Sequence, residues 1–166
     1  MNDHSPEDEE RTRRVAAGLA AAGIEAQIVT LPDSAATAAL AAEALGVEVG
    51  AIANSLVFVA DDEPLLVMTS GAHRVDTAAL ARRIGVQRIR RASADQVLEA
   101  TGQRVGGVSP TGHPAGLRTI IDESLSRYGQ LWAAGGTAHA VFPLTFDELV
   151  RLTGGAVHSV EADTDS

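Results

Sequence analysis

Ile52-Ala53-Asn54-Ser55-Leu56-Val57-Phe58-Val59, the acidic stretch Asp61-Asp62-Glu63 and then Pro64-Leu65-Leu66-Val67-Met68-Thr69 decide the fold. Two apolar runs separated by a short polar turn predict a β-hairpin. On the N-terminal side, Arg11 to Ala22 predicts a helix with Val15 and Leu19 one turn apart and Gly23 as its stop. Glu25 to Leu31 predicts a strand, and Pro32-Asp33-Ser34 opens a second helix capped by Asp33 or Ser34 and ended by Gly46. On the C-terminal side, Thr77 to Ile84 predicts a helix and Val86 to Arg90 a short strand. Ser93 with Gln96, and Thr145 with Glu148, each match a capping box, so helices follow both. Leu117 to Ile121, Ala138 to Phe142 and Val157 to Val160 predict further strands. Strands joined by hairpin-like turns as well as by helices imply one α/β domain with a mixed sheet, not a doubly wound parallel one.

The chain has 166 residues, a length for one domain with a sizeable core. It has no cysteine, which excludes disulfides, thiolate metal sites and a cysteine nucleophile. No run of about 18 apolar residues could span a bilayer. Met1 to Arg14 is charged, without an apolar signal region, so a soluble cytoplasmic protein is expected. Residues 1–10 read as a disordered tail, 11–160 as the domain and 161–166 as a second tail.

The net charge of -9 argues against general nucleic-acid binding, but its distribution is uneven. Residues 73–118 carry eight arginines against three acids, so one basic segment sits inside an acidic chain. Arg82, Arg83, Arg88, Arg90 and Arg91 are either solvated faces or local contacts to phosphates. All 13 cations are arginine; the chain has no lysine.

One loop has an unusual composition. Thr101-Gly102-Gln103-Arg104-Val105-Gly106-Gly107-Val108-Ser109-Pro110-Thr111-Gly112-His113-Pro114 holds four glycines and two prolines, which suit neither helix nor regular sheet. Such a loop is either a long turn or a cradle whose N–H groups bind an anion or oxyanion.

Gly106-Gly107-Val108-Ser109-Pro110 followed by Gly112-His113-Pro114 resembles the glycine-proline loop of the YbaK/prolyl-tRNA editing family, the aminoacyl-tRNA-synthetase-associated editing domains. Three other segments match in order. Thr37-Ala38-Ala39 with Ala41 and Ala42, ending at Ala44-Leu45-Gly46-Val47, is similar to the family's second helix. Ile52 to Phe58 resembles its core strand, and Ala133-Ala134-Gly135-Gly136 with Leu144 to Leu149 resembles its second glycine turn and last helix. The resemblance implies a mixed, partly barrel-like sheet flanked by helices, and hydrolysis of the ester joining a mischarged amino acid, commonly alanine or cysteine, to tRNA, often tRNA for proline. It implies no metal and no organic cofactor. Its implied partners are the acceptor end of aminoacyl-tRNA and prolyl-tRNA synthetase, with no membrane.

Carried onto this sequence, the resemblance implies catalytic roles for Asn54, Gly106, Gly107 and Ser109. It implies substrate contacts from Thr37, Ser55, Val108, Pro110, His113, Asp122, Gly135 and Gly136; the local excess of positive charge, not the resemblance, makes the five arginines named above the candidates for tRNA contact. A bulky residue at Gly107 is expected to abolish activity with the fold intact. There is one departure: the family's core strand usually carries a lysine where this chain has Asn54. An amide offers two neutral donors and an acceptor where an ammonium offers charge and three donors. Losing a donor to transition-state charge costs roughly 2–4 kcal/mol. Both a deacylase and a non-catalytic module that binds an aminoacyl end are compatible with that exchange. His73 and His139 are candidate general bases or structural groups, and their spacing fits no zinc site. Asp122 either orients a site group or caps a helix.

Overall fold

The computed structural model describes residues 6–32, 37–114, 116–137 and 139–161. Strand β1 is Val29–Thr30, β2 Ile52–Ala60, β3 Glu63–Ser70, β4 Ile89–Arg91, β5 Arg118–Asp122, β6 Leu131–Ala134, β7 Ala140–Leu144 and β8 Ala156–His158. Helix α1 is Pro6–Ala21, α2 Ala38–Leu45, α3 Thr77–Ile84, α4 Ala94–Thr101 and α5 Phe146–Thr153. The strands form one mixed sheet in the order β1-β7-β6-β2-β3-β5-β8, with β4 also paired to β2.

The hairpin is the centre of this sheet. Ala60 pairs with Glu63, so Asp61 and Asp62 alone make the turn. Both have positive φ, 46° and 72°, as a two-residue turn matched to strand twist requires. Aspartate tolerates this region better than most residues because its short side chain bonds locally. Here the Asp61 carboxylate accepts from the Gln87 and Arg88 N–H groups at 3.0 and 2.9 Å, which ties the turn to the approach of β4.

Alternation along β2 and β3 sends side chains to two layers. Val57, Leu66 and Met68 face a core completed by Val15 and Leu19 of α1 and Leu149 of α5. Phe58, Leu65 and Val67 face the other layer, with Leu80 and Ala81 of α3 and Val160. Ile52 packs with Ala41 and Ala42 of α2, whose small side chains let that helix lie close to the strand.

The capping boxes at Ser93 and Thr145 form as expected, and α3 has the expected bounds. Several expectations change. The first helix begins at Pro6, so residues 6–10 are helical, not part of a tail; Glu7, Asp8 and Glu9 favour its positive N-terminal end. The strand expected over 25–31 shortens to Val29–Thr30. The α2 cap is Thr37, whose hydroxyl accepts from Leu40 N–H at 3.2 Å; Asp33 and Ser34 lie outside the described residues. Strand β6 occupies Leu131–Ala134, whose last two residues were expected in a glycine turn. No helix is long and apolar enough to cross a membrane among the described residues.

Candidate functional site at the split edge of strand β2

One edge of β2 pairs with β3 along its length from Ala53 to Ala60. The opposite edge is shared. Its first two residues, Ile52 and Ala53, run parallel to β6. Its last three, Phe58 to Ala60, run antiparallel to β4. Between these ladders the edge opens, and a cavity of about 210 Å³ lies there. Asn54, Ser55 and Leu56 form its floor; Thr37, Ala38 and Ala41 of the α2 region, Val105, Gly106 and Val108 of the loop, and Trp132 to Ala134 of β6 form its walls. The walls are mostly small and apolar, with few polar groups, as a site for a small organic group requires.

Asn54 is exposed at this opening, and among the described residues no hydrogen bond holds its side chain. Asn54 is therefore not a buried structural amide. Its cross-strand neighbour is Thr69, which is buried and donates to the Asp122 carboxylate at 3.3 Å.

The loop is held from behind. The Gln103 side-chain carbonyl accepts from Ser109 N–H at 2.6 Å, and its amide donates to the Thr111 carbonyl at 3.0 Å. The His113 Nε2 lies 2.8 Å from the Ser109 carbonyl. Burial pushes the His113 pKa down, against the opposing effect of that backbone bond, so the neutral ring donates Nε2–H and acts as a clamp. A Cβ on Gly18 of α1 would strike the Thr111 side chain, so the far half of the loop docks on that helix.

These bonds decide which loop donors remain. The Gly107 N–H donates to the Arg104 carbonyl at 3.0 Å, closing a turn, and Ser109 N–H is taken by Gln103. Among the described residues, no hydrogen bond occupies the N–H groups of Gly106 and Val108, both of which line the cavity. Gly106 has φ 93°, a conformation that side chains other than glycine rarely adopt.

The sequence model of the aminoacyl-tRNA editing domain matches residues 32–152, which contain this cavity and both sides of its loop. The chain belongs to the aminoacyl-tRNA editing domain family. It is 32% identical over 126 residues to the uncharacterized protein YwhH of Bacillus subtilis, covering 75% of this chain and 80% of that one. It is also 32% identical over 84 residues to a proline--tRNA ligase of Lactobacillus gasseri, covering 51% of this chain but 15% of the ligase, so the likeness concerns one part of that enzyme. A crystal structure described as that of a candidate trans-editing enzyme for prolyl tRNA synthetase superposes with a TM-score of 0.86 at 40% identity, covering 97% of this chain and 100% of that one.

The editing domain gathers some of the expected site residues and disperses others. Thr37, Asn54, Ser55, Gly106 and Val108 meet at the cavity. Gly107, Ser109 and Pro110 are buried behind it, and His113 clamps them. Gly135 and Gly136 serve packing: a Cβ on Gly135 would lie 2.9 Å from Ile28 Cγ2, and one on Gly136 would lie 3.0 Å from the Arg11 carbonyl. The residues just before them, Ala133 and Ala134, line the cavity instead. Trp132 was not singled out from sequence, and its place became visible only once β6 paired with β2.

Asp122 lies outside the cavity lining, at the end of β5. It caps the following 3-10 turn, accepting from Ser124 N–H at 2.9 Å and Ser124 Oγ–H at 2.8 Å. It also accepts from Ser70 N–H at 3.0 Å, and His73 Nδ1 lies 3.1 Å away. Asp122 thus caps a turn and also holds the end of β3 through Ser70 N–H. His73 is part of this network and does not line the cavity, and His139 lies in the turn before β7.

The five arginines differ in their attachments. Arg83 donates to the carbonyls of Ser159 and Glu161 at 2.9 and 2.7 Å, tying α3 to the C-terminal segment. Arg91 stacks over Phe58 with 5.7 Å to the ring centroid. Arg88 and Arg90 are exposed and line a groove with Asp61 and Asp62. Arg82 is exposed on the last turn of α3. Among the described residues, no group of three or more His, Asp or Glu could hold a metal ion.

Proposed function

We propose that this editing domain is a cytoplasmic aminoacyl-tRNA deacylase acting in trans, with tRNA for proline carrying alanine or cysteine as its substrate. The observation that carries the reading is the cavity at the split of β2, a small, mostly apolar pocket lined by the exposed Asn54 and by Gly106 and Val108, whose N–H groups no hydrogen bond occupies among the described residues. Water adds to the ester carbonyl, and the carbon–oxygen bond to the terminal ribose breaks. The proton from water goes to the departing ribose oxygen, leaving free amino acid and uncharged tRNA. The Gly106 and Val108 N–H groups stabilise the oxyanion, and Asn54 hydrogen-bonds the ester or ribose. An activated ester with a good leaving group needs orientation more than a strong base. The small walls Ala38, Ala41, Ala133 and Ala134 suit a small misattached residue.

The test is release of labelled amino acid from tRNA for proline charged with alanine, cysteine or proline. Release of alanine or cysteine at catalytic enzyme concentrations is expected; no release from any of the three sinks the proposal. Asn54→Ala should slow turnover by a factor of about 2–10, since a lost neutral hydrogen bond is worth about 0.5–1.5 kcal/mol. Its melting temperature should barely move, because the side chain is exposed and holds nothing. Asn54→Lys should raise the rate toward that of lysine-bearing relatives.

Contact with the tRNA backbone belongs to the same proposal. Arg82, Arg88 and Arg90 are exposed and project from the basic segment. Affinity for tRNA should fall with salt, and replacing Arg88 or Arg90 should lower the log–log slope by roughly 1 per lost phosphate contact. Arg83→Ala should act chiefly on stability, because its guanidinium is committed to two carbonyls. Unchanged slopes after Arg88 and Arg90 are both replaced would remove them from the interface.

A further inference from the structure

The split edge of β2 exposes main-chain groups as well as side chains. Strand residues turn their N–H and C=O alternately to one edge and the other. The Ile52 carbonyl accepts from Gly71 N–H on the β3 side, while the Val57 carbonyl accepts from Ala92 N–H on the β4 side. By that parity, Ser55 directs both its N–H and its C=O away from β3. The ladder to β6 ends at Ala53 and the ladder to β4 begins at Phe58. Among the described residues, Ser55 therefore has no strand partner on this edge, and it lines the cavity.

We propose that the aminoacyl group of the substrate docks on this edge as a one-residue antiparallel strand opposite Ser55. The inference rests on the editing reading and specifies how that site recognises its substrate. An aminoacyl ester carries an ammonium donor and a carbonyl acceptor on either side of one carbon, the spacing of a residue in a sheet. In an antiparallel hydrogen-bonded pair, two facing residues exchange both bonds. The ammonium donates to the Ser55 carbonyl, and the ester carbonyl accepts from the Ser55 N–H. The ester then lies at the Asn54 end of the gap, since the Ser55 N–H is on that side. Directly opposed residues send their side chains to the same face. An L-residue therefore points its side chain to the face of Ala53 and Val57, where Val108 and Ala133 also pack. A D-residue points to the face of Asn54 and Leu56. Strand addition of this kind gives affinity through the main chain and specificity through the side-chain pocket. It also accounts for recognition of an ammonium at a cavity with no carboxylate among its described lining residues.

The full chain, labelled with 15N, is titrated with three non-hydrolysable adenosines: 3′-L-alanylamino, 3′-D-alanylamino and 3′-propionylamino. The L-alanyl compound should shift the Ser55 amide resonance, and the D-alanyl and propionyl compounds should bind at least tenfold more weakly. Equal affinity for all three, or an unmoved Ser55 amide on binding, overturns the strand-edge inference. So does a failure of all three to bind an enzyme that still deacylates alanyl- or cysteinyl-tRNA. Those outcomes leave the editing reading standing. Absence of both binding and deacylation removes that reading, and this inference falls with it.

Discussion

Gly106→Val should reduce deacylation at least a hundredfold while the protein remains folded. Gly106 has φ 93°, and nothing lies within 4 Å of where a Cβ would be. The substitution therefore meets no steric block in the fold. Its cost is conformational, because a β-branched residue rejects positive φ. The loop relaxes toward negative φ and turns the Gly106 and Val108 N–H groups away from the cavity. Removing one oxyanion donor in other hydrolases costs about 10²–10³ in rate. The expectation for a bulky residue at Gly107 changes with the structure. Gly107 is buried and its N–H is already bonded to Arg104, so a substitution there perturbs packing as well as rate. The decisive measurement pairs single-turnover deacylation with a thermal melt of Gly106→Val. A folded variant with wild-type rate would reduce the loop to a connection.

Asp122→Ala should be the most destabilising single substitution away from the hydrocarbon core. It leaves Ser70 N–H, Thr69 Oγ, Ser124 N–H and His73 without the carboxylate they share. Leaving a buried donor unsatisfied costs about 1–3 kcal/mol, and here several are left at once. For a chain of this size the melting temperature should fall by on the order of 10 °C. Burial opposes ionisation of Asp122, but the bonds from Ser70, Ser124 and His73 outweigh it and hold the carboxyl below its usual range. A depressed folded-state pKa contributes stability that is present above the ordinary carboxylate value and lost as pH falls through the depressed one. The gap between wild type and Asp122→Ala should therefore be widest near neutral pH and shrink in acid. A gap that does not vary with pH would mean that packing, not the carboxylate charge, sets the loss. Deacylation should also drop in Asp122→Asn at temperatures where the protein is folded, because Thr69 lies opposite Asn54.

Features governed by neighbours in the chain were legible from the sequence. The hairpin, the two capping boxes and the bounds of α3 rest on turn chemistry and on contacts three or four residues apart. The glycine-proline loop was likewise marked by its own composition, and its resemblance led to the correct family. The helical start at Pro6 was missed because a polar, acidic segment reads as solvated chain, although α1 needs only Val15 and Leu19 to anchor it in the core. Strand β6 was missed because four residues carry too short a pattern to identify, and its partner in β2 is some eighty residues away.

The site itself belongs to those distant pairings. Sequence named Asn54, Ser55, Gly106 and Val108, but only the two short ladders on one edge of β2 create the opening that brings them together. Tertiary structure also separated the loop groups that face the cavity from those spent on holding the loop, Gly106 from Gly107 and Ser109. It placed Asp122 and His73 in a network at the end of β3, outside the cavity lining. The sequence by itself determined the local elements and the family because backbone preference and side-chain type act over a few residues. Which polar groups remain free for a substrate depends on every other group that competes for them, and that competition is settled only when the whole chain has packed.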